Sequence, residues 1–134
     1  MITVTTSRRA DPLVRRIGRD FAFATGGTYV TRGKGGLSRP PFSGGIVLVL
    51  SRDGKGIRTQ ILSGSEDAAI LRFPEVREES RAGPLRKGLF TGDRELFSTL
   101  SPLLPVSLEG DLPDTVVLDG IQGRRISLLV PGEA

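Results

Sequence analysis

Residues 1–36 read MITVTTSRRADPLVRRIGRDFAFATGGTYVTRGKGG, and this stretch decides the fold that we predict. Ile2 and Val4 alternate with threonines, which is typical of a short strand. The β-branched and aromatic run Tyr29–Thr31 indicates a second strand. Because a helical pattern separates the two, the stretch has the size of a βαβ unit with parallel strands.

The helix is predicted to begin after Asp11, whose carboxylate can accept hydrogen bonds from the free amides of the first turn. Pro12 suits the first helical position, and the pair Gly26-Gly27 is typical of a helix end. Gly18 costs about 1 kcal/mol relative to alanine, and its missing side chain leaves room for a close neighbour. Apolar residues recur every three or four positions and mark the buried side: Leu13, Val14, Ile17, Phe21 and Ala24. The opposite side carries three arginines: Arg15, Arg16 and Arg19.

Two hydroxyl residues and two arginines stand just before the helix: Thr6, Ser7, Arg8 and Arg9. Free amides and the helix dipole favour an anion at a helix N-terminus. The segment therefore predicts a phosphate site, and a capping loop with solvated arginines is the alternative.

The second strand leads into a basic glycine loop that contains Arg32 and Lys34. It is not a nucleotide-binding P-loop, because five residues separate Gly27 from Gly33 where that motif has four, and Gly35 replaces the Ser or Thr that binds magnesium. A flexible basic loop that contacts nucleic acid remains a fair interpretation.

Residues 46–50 (IVLVL) predict a central strand that is buried on both faces. Asp53-Gly54 predicts a hairpin turn, and residues 57–62 form the returning strand. An apolar strand, an Asp-Gly turn and an apolar return recur at residues 116–130, about 66 residues later. Either the chain contains a weak internal duplication, or two hairpins use the same common turn.

Between the hairpins, we assign residues 68–73 to a strand and residues 75–88 to a solvated connection. A short helix follows, capped by Thr91 or Asp93, and it buries Leu96, Phe97 and Leu100. Residues 107–114 are assigned to a loop. The chain as a whole is predicted to be α/β, with mixed sheets and flanking helices.

The sequence contains no cysteine and no histidine, which excludes disulfides, thiolate metal sites and histidine-based catalysis. No apolar run approaches the roughly 20 residues that span a membrane, and the N-terminus lacks the apolar core of a signal peptide. We therefore expect a cytoplasmic protein with no membrane contact, no metal and no cofactor.

Charge is distributed unevenly along the chain. Residues 1–58 contain eleven Lys/Arg against three Asp/Glu, whereas residues 59–134 contain eight against twelve. The first part suits a polyanion, and its arginines suit bidentate phosphate contacts. A GC-rich genome or a thermophilic source is the alternative reason for the arginine bias.

The opening segment resembles the start of Brix-domain proteins, which begin with a strand, a Thr-Ser-Arg segment, a basic helix, and a strand that ends in an Arg-Gly-Lys loop. The matching positions are Thr5, Thr6, Ser7, Arg8, Pro12, Tyr29, Arg32, Gly33 and Lys34. The compact archaeal form, related to eukaryotic factors of small-subunit ribosomal RNA processing, is the most similar. The family usually has a helix after the loop, so in residues 37–45 (LSRPPFSGG) that helix is degenerate or its residues are absent.

The resemblance implies a single Brix-like domain over residues 1–134, with two similar halves of approximately 1–65 and 66–134. Each half would resemble the anticodon-binding domain of class II aminoacyl-tRNA synthetases. It also implies a non-catalytic RNA-binding factor in ribosome biogenesis, with precursor ribosomal RNA and ribosomal or assembly proteins as partners. The residues predicted to hold RNA phosphates are Arg8, Arg9, Arg15, Arg16, Arg19, Arg32 and Lys34.

Two other functions stay open at this point. The acidic second half could dock a basic ribosomal protein through Glu66, Asp67, Glu75, Glu78 and Glu79. An enzyme using Asp53, Lys55 and Asp119 is the third possibility, although aspartate is expected in Asp-Gly turns for backbone reasons.

Overall fold

A computed structural model of the chain describes residues 2–31, 45–64, 66–121 and 123–129. Within these ranges the chain forms two five-stranded sheets and two helices. The first sheet contains β1 (Ile2–Thr6), β2 (Thr28–Tyr29), β3 (Ile46–Asp53), β4 (Gly56–Ser63) and β5 (Glu66–Phe73). The second sheet contains β6 (Glu75–Ser80), β7 (Leu89–Thr91), β8 (Val106–Leu108), β9 (Thr115–Asp119) and β10 (Arg124–Leu129). The helices are α1 (Pro12–Thr25) and α2 (Arg94–Leu100).

Both sheets are mixed, which confirms the predicted fold class. The strand order is β2-β1-β3-β4-β5 in the first sheet and β6-β10-β9-β7-β8 in the second. In the first sheet β1 pairs in parallel with both β2 and β3, whereas β4 and β5 add antiparallel strands. The parallel βαβ unit predicted from residues 1–36 is therefore present.

Helix α1 begins and ends as its sequence predicts. The Asp11 carboxylate accepts a hydrogen bond from the Val14 amide at 3.0 Å, and Gly26 ends the helix in the left-handed conformation at φ 72°. On the inner side Val14, Ile17, Phe21 and Ala24 are buried and Leu13 is half-buried, and the outer side exposes Arg15 and Arg19. Helix α1 packs on the first sheet and also touches β9 of the second.

The apolar run 46–50 is buried on both faces, as predicted. Leu48 and Leu50 enter the main core, which is shared by both sheets and both helices. The alternate residues Val47 and Val49 lie on the other face of the sheet in a small cluster with Leu62. This alternation fixes the register of β3 as the central strand, because a shift of one residue would exchange the two sets.

The stretch 75–88 was predicted to be a solvated connection. Its first six residues instead form strand β6. They pair antiparallel with β10, and their side chains are almost all exposed. Charged side chains on an edge strand keep it from pairing with other chains. They also give β6 the amino-acid composition of a solvated loop. The predicted loop 107–114 likewise begins with the end of β8.

The remaining assignments are close to the structure. Asp93, rather than Thr91, caps α2, because its carboxylate accepts from the Leu96 amide at 3.1 Å. Leu96 and Leu100 are buried, but Phe97 is only half-buried. The strand predicted at Tyr29–Thr31 is the pair Thr28–Tyr29 instead.

The two sheets follow the same plan. Each has a parallel pair at one edge whose strands are joined through a helix, β1-α1-β2 and β7-α2-β8, and each continues from that pair into a hairpin and then a strand at the opposite edge. One orientation differs, because β3 runs parallel to β1 whereas β9 runs antiparallel to β7. The sheets divide at Pro74, and the likeness of each half to a synthetase anticodon-binding domain stays a prediction.

Candidate nucleic-acid interface

A basic pocket lies at the carboxyl ends of β1 and β2. Its volume is about 130 Å³, and it is lined by Thr6, Ser7, Arg8, Arg15, Arg19, Tyr29 and Thr31. β2 pairs on one side of β1 and β3 on the other, so the switch in strand order lies between β1 and β3, and the pocket adjoins it at the carboxyl end of β1. Ligands of α/β sheets bind in the crevice outside the carboxyl ends of strands at such a switch point.

The backbone after β1 holds the pocket's first wall. The Ser7 amide donates to the Leu50 carbonyl at 2.9 Å, and the Ala10 amide donates to the Ser7 carbonyl at 3.1 Å. This turn exposes Arg8 at the pocket and leaves Arg9 exposed outside it. The second wall follows β2, where the Val30 amide donates to the Val4 carbonyl at 2.9 Å.

Tyr29 forms the pocket's aromatic surface. Its hydroxyl lies 3.5 Å from the Thr6 hydroxyl, and the Arg19 guanidinium carbon lies 5.3 Å from the ring centroid. Gly18 makes this position possible, because a Cβ there would lie 3.0 Å from Cε1 of the Tyr29 ring. The space left by Gly18 is thus filled by Tyr29, and the ring is half-buried with an arginine against it.

Among the described residues, the pocket lining contains three arginines and no acidic residue. Within the described part of the chain, Arg15 has no ion pair and Arg19 has only its contact with Tyr29. Because no carboxylate of the lining neutralises these guanidinium groups, the pocket favours a polyanion. The arginines and hydroxyls together provide the donors that a phosphate group accepts from.

The N-terminus of α1 is occupied by the protein's own carboxylate. The hydrogen bond from the Val14 amide lowers the pKa of Asp11, and the Arg52 guanidinium, 2.8 Å away, adds to this. Thr6 and Ser7 line the pocket beside α1 rather than cap it. Their predicted role at an anion site stays a prediction, with the arginines as the main donors.

The seven arginine and lysine residues predicted from the sequence are only partly brought together. Arg8, Arg15 and Arg19 share the pocket, whereas Arg16 turns toward the second sheet and pairs with Glu78 of β6 at 2.8 Å. Arg32 and Lys34 lie outside the described residues, as does the segment in which the Brix family has a helix.

A second groove runs along the other side of α1, and sequence reasoning did not find it. Its volume is about 310 Å³, and it is lined by Pro12, Arg16, Arg19, Asp20, Ile121 and Arg124. Ile121 lies in the β9–β10 turn and Arg124 is the first residue of β10, so only the packing of the two sheets places them here. The repeat of an Asp-Gly turn followed by arginine was the one signal that pointed to this hairpin.

The two aspartates considered for catalysis lie on different sheets. Asp53 is exposed at the end of β3, and Asp119 is buried at the end of β9. Burial acts to raise the pKa of Asp119, but the hydrogen bonds from the Arg125 guanidinium and the Arg86 amide outweigh it, so that its pKa is lowered. This carboxylate therefore holds two segments of the second sheet together.

Acidic residues of the second half are dispersed along two edge strands. Glu66 and Asp67 lie on β5, and Asp67 accepts a hydrogen bond from Gln60 at 2.6 Å. On β6, Glu78 is paired with Arg16 and Glu75 with Arg77, and Glu75 and Glu79 are exposed. Among the described residues no group of three or more acidic side chains could hold a metal ion, and no helix is long and apolar enough to cross a membrane.

Comparison with known proteins identifies the fold. No family model and no curated protein matches the sequence. Among solved structures, the chain is similar to Mil, an archaeal Imp4-like protein, with a TM-score of 0.69 and 18% identity over 98% of this chain and 97% of that one. It is also similar to a probable ribosomal biogenesis protein from Aeropyrum pernix K1, with a TM-score of 0.61 and 19% identity over 98% and 97%.

The chain thus has the α/β fold of the Imp4-like proteins, which are proteins of the Brix-domain family. This confirms the fold that the resemblance of residues 1–36 implied, and it extends the likeness over nearly the whole length of both solved chains.

Proposed function

We propose that this protein is a non-catalytic, cytoplasmic RNA-binding factor in ribosome biogenesis, and that it holds precursor ribosomal RNA at the basic pocket. The observation that carries the proposal is the pocket itself, whose described lining combines three arginines, three serine or threonine residues and a half-buried tyrosine without an acidic residue. The folds shared with an Imp4-like protein and a probable ribosomal biogenesis protein support the biological setting.

The pocket suits RNA better than a small anion. The arginines supply phosphate contacts, which give affinity but little sequence selectivity. The face of Tyr29 and the planar Arg19 guanidinium supply surfaces on which an unstacked base can lie. A phosphate and an adjacent base could therefore occupy one recess, as in proteins that bind single-stranded RNA.

The test is binding of a labelled ribosomal RNA fragment, followed by fluorescence anisotropy across a salt series. Arg15→Glu with Arg19→Glu should remove two phosphate contacts and lower the slope of log affinity against log salt by about 1.4 for a single strand. The matched control is Arg72→Glu with Arg94→Glu, which changes the net charge equally at two exposed positions away from the pocket.

Tyr29 gives a second readout that is specific to the pocket. It is the sole tyrosine of the sequence, and the chain has no tryptophan, so the intrinsic fluorescence above the phenylalanine range reports this ring alone. RNA in the pocket should change this emission. Equal binding by the wild type and the pocket variant, with unchanged emission, would contradict the proposed site.

A second candidate is docking of a basic ribosomal or assembly protein on the acidic half. The exposed carboxylates of Glu75 and Glu79 on the edge strand β6 favour it. If the wild type binds no RNA at low salt, titration with a basic ribosomal protein becomes the decisive experiment. Glu75→Lys with Glu79→Lys should then abolish that binding, and retention of binding would exclude this face.

A further inference from the structure

The groove beside the β9–β10 turn shares one residue with the basic pocket. Arg19 lines both recesses, which lie on either flank of the exposed side of α1. Arg15 and Arg19 are one helical turn apart and face the pocket, whereas Arg16 lies about 100° farther round the helix and faces the groove. The two recesses and the ridge between them therefore form a continuous track of arginines across the helix.

We propose that the groove is a second nucleotide-binding site, and that single-stranded RNA crosses α1 from the pocket to the groove over Arg19. The inference rests on the function proposed above and adds the path and the form of the RNA. Its new contacts are Arg16, Arg124 and Ile121.

A built-in scaffold holds the groove open. Asp20, only 2% exposed, accepts from Arg124 at 2.8 Å and from the Ile121 amide at 3.4 Å. Gly120 allows this approach, because a Cβ there would lie 2.8 Å from the Asp20 carboxyl carbon. Since Asp20 uses its oxygens on the turn, it fixes Arg124 at the groove wall and contributes no exposed negative charge.

The other carboxylate near the groove can be displaced. Arg16 and Glu78 form a surface ion pair with side chains 42% and 28% exposed. Exposed pairs of this kind contribute little to stability, so a phosphate can take the place of Glu78 on Arg16. Ile121, which is 58% exposed, provides an apolar surface at the rim.

Single strands fit this geometry better than a duplex. The path of the arginines runs from the pocket, over helix α1, which is about 10 Å wide, into the groove on its other side. A flexible strand can follow such a profile, whereas a rigid duplex would contact the ridge and leave both recesses unfilled. The ligand class is accordingly an unpaired RNA segment of several nucleotides.

The experiment compares a dinucleotide with a decanucleotide of uridine by competition and by anisotropy. Arg15→Gln should weaken both ligands, because the pocket binds each of them. Arg16→Gln should leave the dinucleotide unchanged, weaken the decanucleotide, and lower the slope of its log affinity against log salt by about 0.7, the value of one single-strand phosphate contact.

Glu78→Gln is the matched control, because it breaks the same ion pair and leaves Arg16 in place. It should preserve or strengthen decanucleotide binding, which a purely structural role of the pair would not allow. A decanucleotide that binds Arg16→Gln as tightly as the wild type overturns the path across α1. If Arg15→Gln also has no effect on either ligand, the proposed function fails as well, so the two failures are distinct.

A labelled single-cysteine variant gives an independent measurement. Since the chain contains no cysteine, Ile121→Cys can be labelled with a dye at one position only. The decanucleotide should change the dye's emission and the dinucleotide should not. An identical response to both ligands, or no response to the decanucleotide at saturation, would refute a strand that reaches the groove.

Discussion

The ion pair between Asp20 and Arg124 should be costly to break, because it joins α1 to the start of β10 largely away from water. The Asp20 side chain is 2% exposed and that of Arg124 is 22% exposed, and their closest atoms are 2.8 Å apart. Breaking a buried pair by removal of one partner costs about 3–5 kcal/mol, because the other charge is left uncompensated.

The unequal burial of the two partners predicts unequal costs. Asp20→Ala leaves Arg124, which can be hydrated in part, so we expect a loss of about 3 kcal/mol, at the lower end of that range. Arg124→Met leaves the more deeply buried carboxylate without a partner and should cost more. The double variant Asp20→Leu with Arg124→Met removes both charges and should recover much of the loss.

Urea unfolding followed by circular dichroism measures these differences. With a denaturant slope near 2 kcal/mol/M, Asp20→Ala should lower the midpoint by about 1.5 M. The exposed pair provides the control, since Glu78→Gln should cost less than about 1 kcal/mol. A loss below 1 kcal/mol for Asp20→Ala, or a double variant less stable than both single ones, would refute the reasoning.

Three further predictions concern the pocket, the second sheet and the core. Gly18→Ala should leave the unfolding free energy nearly unchanged, because a helix-propensity gain of about 1 kcal/mol offsets the cost of displacing the Tyr29 ring. The displaced ring should lower RNA affinity and shift the tyrosine emission. Unchanged RNA affinity would contradict the role of the ring. Asp119 has a lowered pKa in the folded protein, so its stabilisation is present above the ordinary aspartate value of about 4 and is lost as pH falls below it. Asp119→Asn should therefore lose stability at pH 7 and show a smaller further loss at pH 3, as measured by urea unfolding at both pH values; an equal acid loss in the two proteins would refute this. Ile61→Ala removes a fully buried core side chain and should cost about 3–4 kcal/mol in the same assay, and a loss below 1 kcal/mol would show that the core collapses around the gap.

Residues 1–36 predicted the first βαβ unit because every local signal there agrees. Asp11 caps, the apolar stripe has helical spacing, and Gly26 ends the helix. Strand β6 was missed because its sequence lacks the alternation of apolar and polar residues that marks a strand. Val76 is its only partly buried residue, and its other residues are exposed. Its strand conformation comes from pairing with β10, which no local pattern records.

The candidate site was predictable in its arginines but not in its geometry. The helical wheel placed Arg15, Arg16 and Arg19 on one side, yet the structure separates Arg16 from the other two, because Glu78 of the second sheet lies on that flank. Arg124 reaches α1 through packing between elements 104 residues apart in sequence. Such contacts depend on how the two sheets meet, and a sequence pattern with a period of a few residues cannot encode them.

The second sheet differs from the first at the corresponding strand end. At the end of β7, Gly92 is covered by the backbone of the short β8–β9 connection, since a Cβ there would lie 2.0 Å from the Leu112 carbonyl oxygen. β9 runs antiparallel to β7, so this connection must turn back at the very end where a pocket would open.

In the first sheet β3 runs parallel to β1, and the next strand therefore does not begin at the carboxyl end of β1. No described segment covers that end, where Ser7 and Arg8 follow the strand, whereas the corresponding residues after Thr91 are Gly92 and Asp93. Strand direction and charge thus change together between the halves. A shared plan of strands gives one half an open basic recess and gives the other half a closed, acidic strand end.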